Sequence, residues 1–508
     1  MVAQEVPDGK SSSVNSGLAD LEQFLRQAVQ DGKSFDDFER PLWQRLLKIG
    51  YAAVGQFLAG QGTGDLGETA TLTDGRVVRR LADLHSRELT CVFGTFEIQR
   101  TVYGTREGQK IELVPVDTRL ALPEAKFSYL LQDWNQWLAT EEPFAKVATS
   151  LERILGLRQH VDSLETGSRH LAASVAVFRE AQAAPPAKEE GAIVVRSGDG
   201  KGVPIRHPAD VSIIQGHRSR RGPKPDRKRM AIVGTVYTVA RHVRTGDQIV
   251  EALFEKPAAK GESAAPPRPR PCHKRVLATL DHVDSDGNDR KGIAETFGWM
   301  AEQVAARNPD GVKPIVNVMD GQESLWNALD VFEPRRDGQV DILDLLHVTQ
   351  RLWQAAHLFF PVNDPQVECF LRERLLRVLQ GQAGRVIGGL RQMATKQRLP
   401  AAKRHAVEKI TGYFEANLSR MRYDEYLAAG YPIASGAIEG ACRHLVKDRL
   451  ERTGMSWTKP GAQAMLDLRA TAINGDWDKY IGFRTTRETQ RLYPHRSVLT
   501  QQPWPLAA

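Results

Sequence analysis

From residue 17 to about residue 60, Leu, Phe and Ile recur at helical spacing in "LADLEQFLRQAVQ" and "RPLWQRLLKIGYAAVGQFLAG", which predicts two packed helices. "CVFGTFEIQRTVYG", residues 91–104, instead alternates apolar and polar positions around Gly94-Thr95 and predicts a β-hairpin. "FSYLLQDWNQWLATEEPFAKVATSLERILG" returns to helical spacing in two segments. A third helix follows Gly156, with Asp162 and Glu165 at capping-box spacing. Helix, glycine turn, helix is the layout of a DNA-reading helix-turn-helix, although any helical hairpin shares it and this helix carries few Lys or Arg to anchor phosphates.

The pattern changes class after "AQAAPPAKEE", residues 181–190, which reads as a linker. Strand-like runs at residues 192–195, from 231 and from 312, with helical "RKGIAETFGWMAEQVAARN" before the last, predict an α/β layered domain. Helical spacing resumes over residues 352–428 and predicts a helical insertion in that domain. The expected division is therefore a disordered leader (1–16), a mainly helical region with a hairpin that binds DNA (17–180), the linker, the first part of the α/β domain (191–351), the insertion (352–430), its final helix (431–480) and a C-terminal tail (481–508).

Composition narrows the class. The chain has 508 residues, a net charge of +7, and apolar and charged fractions of 41% and 26%, values typical of globular proteins with several domains. No apolar run approaches the roughly 18 to 20 residues that span a bilayer, so no membrane partner is expected. The N-terminus lacks the character of a secretory signal, and the four cysteines lie far apart, which together predict a cytoplasmic location. Cys272-His273 is half of a metal-site spacing, with no second half. The GxGxxG at Gly62 to Gly67 follows a helix rather than a strand, so it predicts a loop and not a dinucleotide site. "KPAAKGESAAPPRPRPCHK" is too rich in Pro to form an element and predicts a surface loop. Charge concentrates in "HRSRRGPKPDRKR", where seven of thirteen residues are Lys or Arg, namely Arg218, Arg220, Arg221, Lys224, Arg227, Lys228 and Arg229. Such a density attracts phosphate backbones, and it is also what a solvated loop looks like.

Three acidic residues stand out. Asp199 in "GAIVVRSGDGKGVPI" ends a β-branched run on Asp-Gly, which is either a hairpin turn or a metal ligand. "PIVNVMDGQESLW" repeats the pattern at Asp320, which is either a helix cap or a strand-tip ligand, since α/β sheets open a crevice beyond their strand ends. Glu439 lies in "SGAIEGA", near a helix start suggested by Pro432 and Ser435, with small residues that permit close approach. Three carboxylates of this kind suit a two-metal phosphoryl-transfer site.

"DGKGVPI", "MDGQESLWNAL", "DLLHVTQRLWQAA", "GAIEGACRHLVKDRLERTGMSW" and "GAQAMLDLRA" together resemble a bacterial insertion-sequence transposase of the ISKra group, related to the mutator-like transposases. The resemblance implies an α/β RNase H-like catalytic domain with a helical insertion, preceded by a mainly helical N-terminal DNA-binding region. It implies a DDE triad of Asp199, Asp320 and Glu439 as catalytic residues and as ligands of two Mg²⁺ ions, or Mn²⁺. "DLLH" matches the family's Cys-or-Asp, two residues, His signature with Asp344 and His347; Arg351 shares their helix face, and their role is either to position DNA or the triad, or to serve the fold. Arg443, Lys447 and Arg449 follow Glu439 as expected DNA contacts, with Arg443 also placed to pair with Glu439 at i+4. The implied partners are double-stranded DNA, as element ends and target, and a second copy of the chain, in a homodimer or larger assembly on DNA.

Overall fold

A computed structural model describes residues 13–105, 110–206, 228–254, 268–283, 287–332, 338–452 and 454–500. The chain forms two compact units, Met1–Phe178 with Asp476–Ala508, and Arg179–Gly475.

In the first unit, α1 (Val14–Gln30) and α2 (Phe35–Ala59) pair through Phe24 stacked on Phe38 at 5.7 Å. Ser13 and Ser34 cap them by accepting the N–H groups of Ser16 and Asp37. α1 thus begins inside the stretch expected as a disordered leader. More sheet follows than the pattern predicted: β1 (Thr69–Thr71), β2 (Val77–Arg80), β5 (Tyr103–Gly104) and β6 (Ile111–Leu113) form an antiparallel sheet around the buried Val78, Tyr103 and Leu113. These strands are two to four residues long, too short for alternation to register.

The hairpin is β3 (His85–Cys91) with β4 (Gly94–Arg100), Cys91 standing opposite Gly94. Its turn is therefore Val92-Phe93, and its first strand precedes the expected stretch. Asp117 on α3 (Pro115–Leu120) is buried and accepts from Arg87 at 2.9 Å and Arg100 at 2.6 Å, tying both strands to that helix. α4 (Tyr129–Glu141), α5 (Phe144–Leu155), α6 (Val161–Ala172) and α7 (Val175–Glu180) follow. Gly156, at φ 71°, ends α5, but the capping box does not form: α6 starts at Val161, its cap position is His160, and Asp162 already lies in the first turn.

The second unit is built on a five-stranded sheet. β7 (Ile193–Pro204), β8 (Lys228–Val239) and β9 (Cys272–Thr279) are antiparallel, and β12 (Ile315–Met319) and β13 (Gln339–Leu343) add in parallel on the other side of β7, giving the order β13-β12-β7-β8-β9. β10 (His282–Val283) and β11 (Asp289–Arg290) form a separate short pair. All five residues of β12 are buried, as befits a strand covered on both faces.

Alternate side chains feed two cores. Val194, Val236 and Ile315 pack under α9 (Gly292–Arg307) and α10 (Glu323–Phe332), which follow α8 (Gly246–Phe254). Ile193, Val195, Val316 and Val318 pack under α11 (Leu345–Phe359), α12 (Gln366–Leu379), α13 (Ala383–Lys396), α14 (Ala401–Ala416) and α15 (Tyr423–Ala428). The helices expected as an insertion are thus the covering layer of one sheet face.

β9 and β13 were not legible in the pattern. β9 begins with the polar Cys272-His273-Lys274-Arg275, inside the stretch expected as a loop, and is an edge strand. Side-chain amides take the place of a sixth strand: Gln463 accepts from Leu280 N–H at 2.8 Å, and Asn474 accepts from Val276 N–H at 2.9 Å and donates to its carbonyl at 3.0 Å. The linker also ends inside this fold, because Glu190 forms a fully buried ion pair with Arg307 at 3.0 Å.

α16 (Gly436–Ala441), a π-helical stretch (Cys442–Lys447), α17 (Asp448–Leu450) and α18 (Lys459–Ile473) complete the unit. α19 (Trp477–Leu492) and α20 (Arg496–Thr500) occupy the stretch expected as the end of the final helix and a tail, and belong to the first unit. No helix among the described residues is long and apolar enough to cross a membrane.

A buried polar chain crosses the parallel strands: Arg196 Nε donates to Asn317 Oδ1 at 2.5 Å, and Asn317 Nδ2 donates to Asp341 at 2.7 Å. Arg196 and Asn317 are essentially inaccessible. Asn317→Ala would remove a hydrogen-bond partner from a buried guanidinium, so it is expected to cost about 3 kcal/mol in denaturant unfolding. A cost below about 1 kcal/mol would show that the chain across the strands contributes little.

Candidate active site

Strand register brings the first acidic residues together. Along the parallel ladders Ile315 stands opposite Val194, Asn317 opposite Arg196, and Met319 opposite Leu343. The same offsets carried forward reach an aspartate on each strand at one level: Asp199, Asp320 and Asp344. Tyr237, the partner of Val195, is four residues nearer the opposite end of the sheet.

Asp199 is not a turn residue. It lies within the twelve-residue β7, paired with Val233. One carboxylate oxygen accepts from Gly200 N–H at 2.7 Å and the other from the Cys442 thiol at 3.4 Å. Burial pushes this carboxyl above its usual range, with Asp320 adding to the rise, while the Gly200 N–H, the Cys442 thiol and His347 pull it back.

Asp320 follows β12 and accepts from Gln322 N–H at 2.9 Å, an Asx turn ahead of α10 rather than a cap on its first residue. Trp326 Nε1 fixes the Asp320 carbonyl at 2.7 Å. The adjoining Gly321 donates to the Tyr413 hydroxyl at 3.2 Å, and a Cβ there would lie 2.4 Å from the Tyr413 ring. Only glycine lets α14 press this close to the turn. Burial pushes the Tyr413 hydroxyl up to about 12, so it stays protonated.

Asp344 is completely buried and serves as an anchor. It caps α11 by accepting from Leu346 N–H at 3.0 Å, and it also accepts from Ser435 N–H at 3.1 Å and from the Ser435 hydroxyl. Ser435 is the cap residue of α16, but its side chain makes no cap bond there and turns to Asp344 instead. Glu439 lies in the first turn of the same helix, four residues after Ser435. Burial raises the Glu439 carboxyl; Asp344 and Asp199 add to the rise, and His347 opposes it. His347 Nδ1 is 4.0 Å from Asp344 and makes no hydrogen bond. Arg351 stacks on Tyr413 at 4.9 Å and donates to Gln354 at 3.0 Å, supporting the same neighbourhood from outside.

The helix beyond Glu439 departs from expectation. Its π-helical stretch starts at Cys442, breaking the i+4 spacing, and Arg443 pairs with Asp448 at 3.6 Å instead of with Glu439. Arg449, expected on DNA, is buried and stacks on Trp457 at 4.8 Å. Lys447 is exposed. Arg218, Arg220, Arg221, Lys224 and Arg227 lie outside the described residues. Lys228 pairs with Glu451, as does Lys201 at 3.5 Å, and Arg229 is exposed beside it on β8.

Asp199 is the acid common to the others: Asp320 raises its carboxyl, and it raises that of Glu439 in turn. They do not close into a cage: among the described residues no three His, Cys, Asp or Glu side chains are gathered to hold a metal ion. Sequence reading missed Cys442, Ser435 as a partner of Asp344, and Tyr413. Only Ser435 carried a signal, as a helix-start residue. No family model matches this chain, and no curated protein matches it.

Because the Asp199 and Glu439 carboxyls are raised, the folded protein holds their protons more tightly than the unfolded chain does. Stability from this site is therefore full below the unfolded carboxyl value and falls as pH rises through the raised folded values. In metal-free protein, Asp199→Asn is expected to raise Tm by a few degrees at pH 8 and to change it little at pH 4. A lower Tm at pH 8 would make Asp199 a structural residue. Ser435→Ala removes a hydroxyl donor from a buried carboxylate and is expected to cost about 2 kcal/mol; an unchanged unfolding midpoint would remove Asp344 from its anchoring role.

Proposed function

We propose that this protein is a DDE-type transposase whose second unit is an RNase H-like catalytic domain. It nicks the ends of its own mobile element and joins the freed 3′-hydroxyl to target DNA. What carries the reading is the strand offset that, continued past the paired Asn317 and Arg196, puts Asp320 level with Asp199, together with the field that Asp199 exerts on Glu439. A structural role alone does not account for this crowding, since buried like charges raise one another's pKa and weaken the fold.

The donor set suits a hard divalent cation, because the three acids supply oxygen ligands and the raised proton affinity of Asp199 and Glu439 marks those two as lacking a compensating charge. Asp199, Asp320 and Glu439 would hold Mg²⁺ or Mn²⁺, which when bound supplies charge neutralisation for in-line phosphoryl transfer. The chain itself orients the reaction. Asp344 fixes the origin of α16, Tyr413 fixes the Asp320 turn, and His347 presents an imidazole that can hold a proton or a phosphate oxygen. The exposed Arg229, Arg443 and Lys447 offer backbone contacts to DNA, and joining two ends at one target calls for at least two copies on DNA.

Labelled element-end DNA, incubated with Mg²⁺ and target plasmid, tests the reading. Nicked ends and joined product are expected from the wild type. Asp199→Asn, Asp320→Asn and Glu439→Gln should each lower both by about 100-fold or more while leaving DNA binding near normal. Cleavage without joining would make the protein a nuclease, and binding without cleavage would make it a DNA-binding protein of transposase descent.

A further inference from the structure

The Asp344–Ser435 contact has a second side. Leu345, which follows Asp344, and Ile433, two residues before Ser435, help line a cavity of about 290 Å³ together with Ile249 and Leu253. Three basic residues, His242, Arg244 and Arg268, line it as well, and no acidic residue does among those described.

Arg244 is fixed in place: Nε donates to the His242 carbonyl at 3.0 Å and Nη2 to the Tyr431 carbonyl at 2.6 Å. Both acceptors are neutral. Burial and the like charge of Arg268 act on Arg244 in the same direction, lowering its pKa, and burial together with the two arginines lowers that of His242 as well. Half-burying a guanidinium beside a second one, with no carboxylate among the described residues to answer either, is unfavourable until an anion arrives. The arginine fork matches phosphate oxygens in shape and charge.

Phosphate alone would leave most of the cavity empty. The remaining wall is aliphatic, and the volume is close to the roughly 300 Å³ at which small-molecule sites begin. We infer that this cavity binds a nucleotide unit, with its phosphate against Arg244, Arg268 and His242 and its base against Ile249, Leu253, Leu345 and Ile433. The same chemistry is offered by a free nucleotide and by the phosphorylated end of a DNA strand. This inference stands on the cavity and does not depend on the carboxylates performing transposition.

Titration calorimetry on the full chain with adenosine 5′-monophosphate, with adenosine, and with short duplexes carrying either a 5′-phosphate or a 5′-hydroxyl tests it. The wild type is expected to bind the monophosphate at least tenfold more tightly than adenosine, and Arg268→Gln to remove that preference. Arg268 is exposed and makes no hydrogen bond to the described residues, so this variant should keep the wild-type Tm. Arg244→Gln, which also frees two backbone carbonyls, should remove the preference too. A duplex preference for the 5′-phosphate that Arg268→Gln abolishes identifies the ligand as a strand end; monophosphate binding without it identifies a free nucleotide. Absence of any phosphate preference in the wild type, or its survival in Arg268→Gln, overturns the inference.

Discussion

The candidate site depends on one buried carboxylate. Asp344 closes the last parallel strand, caps the helix that follows it, and grips Ser435 some ninety residues later through both the N–H and the hydroxyl. A carboxyl group with no solvent contact needs its lone pairs filled, and here three donors from two separate segments fill them. The requirement works in both directions: the donors stabilise Asp344, and Asp344 determines where the helix bearing Glu439 begins. Covering one sheet face with the helices between residues 345 and 428 would otherwise leave the return point of the chain undetermined.

The strand tips show the opposite arrangement. Asp199 and Glu439 have risen affinities for protons because burial and neighbouring acids oppose their ionisation. Within one unit, then, the acidic group that organises the fold draws three donors, while Asp199 and Glu439 sit where burial opposes their charge. Stability given up at a few positions, and recovered in the apolar layers on both sheet faces, is a usual signature of a site shaped for binding or chemistry.

Much of this frame was legible in the sequence. β7 and β12 announce themselves as β-branched runs that end on Asp-Gly, and the helical spacing read over residues 352–428 is real. What stayed hidden depends on partners distant in the chain. β9 begins as "CHKR", and nothing local marks it as a strand, because its edge is completed by Gln463 and Asn474 from nearly two hundred residues away. Asp199-Gly200 has the composition of a tight turn and sits in an extended ladder, since pairing with β8 overrides local preference. At Gly321 the need for glycine arises from the Tyr413 ring rather than from a turn with positive φ. Charge was the least reliable guide: Arg449 looks like a phosphate contact in sequence and proves to be a buried stacking partner of Trp457.

The helix that carries Glu439 is pinned at both ends. Ser435 holds its start. Beyond its end, Trp457 pairs with the chain just after β7, donating its backbone N–H to the Pro204 carbonyl at 3.0 Å and accepting from Arg206 at 2.8 Å, while its indole donates to Leu450 at 3.1 Å. Between them Arg469 holds the Leu445 carbonyl at 3.0 Å. A segment fixed in this way cannot slide as a rigid rod, and the π-helical stretch from Cys442 to Lys447 is where its extra length is taken up. That stretch opens with the thiol that meets Asp199.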